Sequence, residues 1–134
     1  MIITTVAALL LSPTIPDNID IGRANWASYQ RLEIDRLDLP NTDLIEQVQR
    51  LMRDGSCQME GQEWRRFDFD VNYAVQLDAA GNAVRIVVED IGCRPVELLV
   101  GHVAARIVRD GHVRTAPASG QPRYYANRIN FNIR

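Results

Sequence analysis

Cys93 carries the most reactive chemistry in this chain. It stands between an apolar strand-like run ending at Val88 and an apolar helix-like run that follows Arg94 and Pro95. A thiol at a helix start beside a guanidinium is the setting in which cysteine becomes a nucleophile, so a thiol-dependent enzyme using Cys93 is one reading. The same setting suits half of a disulfide in a small exported domain, and one other cysteine, Cys57, is present. A base for the thiol is hard to place. His102 and His112 are the only histidines, and His102 would lie more than two helical turns beyond Cys93, an awkward position for a base. The two histidines match no common zinc spacing, and two cysteines do not complete a set of ligands. Asp68, Asp70, Glu89 and Asp90 form an acidic neighbourhood, but an alternating strand presents such acids to water, and a metal or a carboxylate pair needs a concave site. All 15 basic residues are arginine, which removes Schiff-base, P-loop and ammonium-base chemistry. The expectation is a protein that is not an enzyme, with no metal, cofactor or small-molecule substrate.

The elements that would position these residues are written in periodic runs. In PNTDLIEQVQRLMRDG, Asn41 or Thr42 can cap a helix whose Leu44, Ile45, Val48, Leu51 and Met52 recur at helical spacing, with Arg50 and Arg53 late and Gly55 as the stop. FDFDVNYAVQL, Phe67 to Leu77, alternates without a slip and predicts a strand with one face on a core. Residues 78–82 with Gly81 make a bulged hairpin turn into a second strand carrying Val84, Ile86 and Val88. Pro95 suits a helix start, and the helix runs through Val96 to Arg109. A third strand follows in YYANRINFNIR, Tyr124 to Arg134. A helical crossover returns this strand parallel to the second, so it neighbours the first. The expected fold is α+β, in the order α-β-β-α-β. Its three-stranded antiparallel sheet has strand order 2-1-3, two helices pack on one face, and the third strand lies at an edge.

A chain of 134 residues with 46% hydrophobic and 24% charged residues is one soluble folded domain. A formal net charge of −2 argues against nucleic-acid binding. Residues 1–16, MIITTVAALLLSPTIP, have the apolar length of a secretory segment rather than of a membrane span, although no basic residue precedes the run and no A-x-A site follows it. The reading is a signal-like leader at 1–16, an extension at 17–40 to which no role is assigned, and a domain at 41–134. The expected location is the periplasm rather than an inner-membrane tether.

Gly81 in the hairpin turn, the Gly92-Cys93 pair, the loop Pro117-Ala118-Ser119-Gly120-Gln121-Pro122 and the closing Ile129-Asn130-Phe131-Asn132-Ile133 together resemble the C-terminal domain of TonB-type energy transducers. The resemblance covers roughly Leu44 to Arg134. It implies a free-standing periplasmic module without catalytic residues, linked to outer-membrane transport. Such a module binds a protein or peptide partner, an outer-membrane receptor segment among them, by pairing an edge strand with it. The matching positions are Arg128, Ile129, Asn130, Phe131, Asn132 and Ile133. The chain lacks the long proline-rich spacer of a complete transducer and the family's Tyr-Pro pair before the first helix. A structural homodimer through the third strand is the alternative.

The hairpin register bears on the cysteines. If Leu77 faces Ala83, paired positions sum to about 160, which puts Phe67 opposite Cys93 at the end away from the turn. Cys57 lies just before the same strand, so both cysteines are expected at one corner of the sheet. A bridge there would close a loop of about 37 residues, worth roughly 3 to 4 kcal/mol in the chain-entropy model.

Overall fold

The computed structural model describes residues 18–35 and 41–133. The leader at 1–16, Leu37, Leu39, Pro40 and Arg134 fall outside them. In chain order the elements are β1 (Ile19–Gly22), a 3-10 turn (Trp26–Ser28), β2 (Gln30–Arg31), α1 (Thr42–Arg53), β3 (Phe67–Leu77), β4 (Ala83–Glu89), α2 (Arg94–Arg109) and β5 (Arg123–Ile133).

The alternation of β3 does what the pattern requires. Phe67, Val71, Tyr73, Val75 and Leu77 are buried, and Asp68 and Asp70 are exposed. The turn into β4 is set by Asp78, whose carboxylate accepts from the Ala80 and Asn82 N–H groups at 3.0 and 2.9 Å. Gly81 supplies a φ of 84°, open to glycine at little cost. Leu77 pairs with Ala83, and after a bulge Val75 pairs with Ile86. This ladder stops at Tyr73–Val88, so Phe67 does not lie opposite Cys93 as expected. β4 ends at Glu89, because the chain must leave the sheet there to enter α2. β5 instead pairs with the whole of β3, from Phe67–Ile133 to Leu77–Arg123.

The expected order 2-1-3 is therefore the middle of the sheet and not the whole of it. The sheet is mixed and five-stranded, in the order β1-β4-β3-β5-β2. β1 runs parallel on β4, and β2 runs parallel on β5 at Tyr125 and Ala126. The three-stranded antiparallel sheet is corrected on this point, and so is the placement of the third strand at an edge along its full length. Three strands leave two rows of unpaired peptide groups, and the segment 18–35 covers one row and part of the other.

To reach both margins this segment crosses the sheet face opposite the helices. Tyr29 stacks near Tyr124 with ring centroids 5.4 Å apart, and Ala74 and Ala126 are buried on that face. Leu32 then enters the core, fully buried, while its N–H donates to the Ala126 carbonyl at 2.8 Å. Beyond it Ile34 bridges to Val113, the Glu33 N–H donates to Thr115 Oγ1 at 2.7 Å, and the Asp35 carboxylate meets Arg114 and lies 3.8 Å from His112.

The two helices share the other face. Asn41 caps α1 by accepting the Leu44 N–H at 3.0 Å, and Leu44, Val48 and Met52 are buried. Val96, Val100, Val103, Ala104 and Ile107 of α2 join the same hydrophobic cluster as α1 and the core face of the sheet. Gly101 interrupts α2 at a cost of roughly 1 kcal/mol relative to alanine. Its place is explained by β1, since a Cβ there would sit 2.8 Å from Ile19 Cγ2 and 2.9 Å from Cδ1. Gly101→Ala is expected to loosen β1: overpacking of about 1–3 kcal/mol outweighs the helix gain of about 1 kcal/mol. Amide exchange is the check. The Ile86 and Asp90 N–H groups, which bond Asn18 and Gly22, should exchange roughly tenfold faster while the β3–β5 amides keep their protection.

Candidate functional site

The six edge residues named from the sequence divide into two sets. Ile129 and Phe131 are buried core side chains, Arg128 and Asn130 are exposed, and Asn132 and Ile133 are half-buried. The Ala126 carbonyl bonds outward to Leu32, and peptide groups alternate sides along a strand. The peptide groups of Arg128, Asn130 and Asn132 thus face outward, and those of Ile129, Phe131 and Ile133 face β3. Among the described residues no strand pairs with the outer side of β5 beyond Ala126. The Arg128 N–H is met at 2.8 Å by the side chain of its neighbour Asn127.

On the face opposite the helices a polar network backs this edge. The Asn130 amide donates to Asp68 at 2.9 Å and to Asp70 at 2.8 Å, and Arg128 lies 3.9 Å from Asp70. Asp68 and Asp70 are thereby tied to one another through Asn130 and open to solvent. Among the described residues no group of three histidine, cysteine or acidic side chains is placed to hold a metal ion. No helix there is long and apolar enough to cross a membrane.

The first half of β3 has a second unpaired side, because β4 accompanies only its second half. Side chains close it. The Gln62 amide acts as a strand in miniature, accepting the Asp68 N–H at 2.8 Å and donating to the Asp68 carbonyl at 3.1 Å. Glu89 accepts the Asn72 N–H at 3.0 Å.

The corner below this gap holds both cysteines. Cys57 and Cys93 are buried and bonded, with Cα atoms 5.1 Å apart. The Cys93 sulfur is therefore not available as a thiolate. Cys93 is also the N-cap of α2 but makes no side-chain cap bond, since its sulfur is engaged elsewhere. Glu97 does that work from within the helix. Its Oε2 accepts the Ile91 N–H at 2.8 Å and the Cys93 N–H at 3.2 Å, and its Oε1 lies 3.5 Å from Arg94. A carboxylate only 1% exposed is tolerated because backbone donors at a helix N-terminus satisfy it. Sequence reading passed over Glu97. Its signal was an acid in the first turn of an otherwise apolar helix, four residues after a cysteine that caps poorly.

Two buried side-chain polar atoms lack any such partner among the described residues, Asn18 Oδ1 and the Tyr73 hydroxyl. The Tyr73 hydroxyl sits fully buried in the middle strand and makes no hydrogen bond, and burial pushes its pKa up to about 12 from 10.0. No family model, no curated protein and no solved structure matches this chain.

Two outcomes follow from this geometry. The folded state holds the Tyr73 proton more tightly than the unfolded chain, so the stability it confers is complete below pH 10 and lost as pH rises through about 12. Tyr73→Phe should remove that alkaline loss, of order 2 kcal/mol, and raise stability at pH 7 by about 1 kcal/mol by removing an unpaired hydroxyl. Urea titrations at pH 7, 10 and 11.5 measure both effects. Replacing both cysteines by alanine should cost about 2–5 kcal/mol, and native protein should take up iodoacetamide only after reduction, by intact mass.

Proposed function

We propose that this chain is an exported, periplasmic protein-interaction module that adds a partner's extended strand to the outer edge of β5. The observation that carries the reading is the row of outward peptide groups at Arg128, Asn130 and Asn132, unpaired by any strand among the described residues. Backbone pairing of this kind supplies affinity, and the side chains beside it supply selectivity. A buried disulfide fits an oxidising compartment, which supports export. The resemblance to TonB C-terminal domains rests on the sequence motifs alone and points the same way, toward a receptor segment at the outer membrane.

A homodimer through the same edge is the second reading. Antiparallel pairing of two copies about Asn130 sets Arg128 opposite Asn132 of the second copy and brings no like charges face to face.

A photoreactive side chain at Asn132, used in cells, distinguishes the two. A heterologous partner should be trapped, and Asn130→Pro should cut the yield at least tenfold, because the Asn130 N–H faces outward and proline denies it to the partner. The same substitution should leave the β3–β5 ladder formed, read by amide exchange. Trapping only the chain itself would replace the first reading by the second, and trapping that ignores Asn130→Pro would remove both.

A further inference from the structure

We propose that the free edge of β5 accepts the C-terminal segment of a partner chain, with the terminal carboxylate held by Arg31 and Arg128. This inference rests on the edge-pairing function above and names the kind of partner that edge selects.

A chain lying along Asn132, Asn130 and Arg128 runs into β2, where Leu32 already bonds the Ala126 carbonyl at 2.8 Å and receives the Asn127 amide at 2.9 Å. Leu32 is fully buried, so this obstacle is anchored in the core. An added strand cannot continue past Arg128 in the plane of the sheet. It must turn away there or end there.

A strand antiparallel to β5 brings its C-terminus to this point, and a parallel strand brings its N-terminus. Arg31 and Arg128 line one cavity of about 420 Å³ beside the end-stop, together with Trp26, Tyr29, Asn72 and Asn127, and among the described residues no carboxylate lines it. Two guanidiniums repel an ammonium and pair with a carboxylate through charge-assisted bonds. Antiparallel pairing is also the more stable arrangement per residue.

Arg31 lies 3.7 Å from Glu33 and Arg128 lies 3.9 Å from Asp70, in pairs whose side chains are 42% to 74% exposed. Such contacts are weak and are readily exchanged for a ligand. The neighbouring amides are not free in this way: Asn72 donates to Glu89 and Asn127 donates to Leu32. Trp26 and Tyr29 leave an apolar wall for a side chain near the terminus.

The test uses the full chain and a random heptapeptide library displayed with free C-termini. Selected peptides are then synthesised as free acids, as C-terminal amides and with a Gly-Gly extension, and binding is measured by fluorescence anisotropy. Free acids should bind at least tenfold tighter than either modified form. The double variant Arg31→Ala, Arg128→Ala should erase that difference, and since both side chains are exposed its thermal melt should match the parent. If acid and amide bind equally while Asn130→Pro or Asn132→Pro still abolishes binding, the terminus inference is overturned and edge pairing stands. If no selected peptide depends on Asn130 or Asn132, edge pairing itself falls and this inference with it.

Discussion

The ladder between β3 and β5 organises the molecule. Eleven consecutive pairs fix these two strands as one rigid unit, and every other element is fitted to the lengths it leaves uncovered. β4 matches only half of β3, because the chain must leave the sheet at Glu89 to build α2. The remaining half of β3 is then finished by side chains and a covalent bond instead of a strand. Gln62 and Glu89 meet its peptide groups, and the disulfide pins the approach to β3 against the start of α2. On the other side β2 matches only two residues of β5, and the rest of that margin is the surface to which function is assigned.

Charge is used sparingly inside this fold and with a partner in each case. Glu97 is the only buried charged residue among those described, and it stands where two peptide donors and a guanidinium converge. The arrangement divides two jobs between neighbours. Cys93 forgoes capping to make a bridge, and Glu97 takes over the cap, so a position with the composition of a catalytic thiol site is a structural joint.

The legible parts of the sequence were those with long periods. The alternation over 67–77 and the helical spacing over 42–53 each repeat often enough to outweigh chance, and the turn at Gly81 sets the Leu77–Ala83 pair, beyond which a bulge shifts the register. β1 and β2 have four and two residues, too few for any period, and both are defined by partners far away in the chain. The approach of Ile19 to Gly101 is likewise a contact that nothing within α2 announces. The candidate site was legible as a strand at the margin of the sheet, but the length of margin left open was not. Which peptide groups of Arg128 to Ile133 face outward depends on pairing with β3, and how much of the edge is free depends on Leu32, whose role no local pattern announces.

The segment 18–35 is synthesised before the strands it pairs with, so it cannot settle early. Asn18 bonds Ala83, 65 residues later, and Leu32 receives a bond from Asn127, 95 residues later. Loop closure over such distances is slow, and contacts of this range mark late steps in folding. Until β4 and β5 exist, the strap has nothing to pair with, and until the strap arrives both margins of the nascent sheet are bare. A strap that reaches the wrong copy's sheet at that stage finds the same two vacancies. The feature that seals the monomer is thus also the one through which crowded chains can exchange segments during assembly.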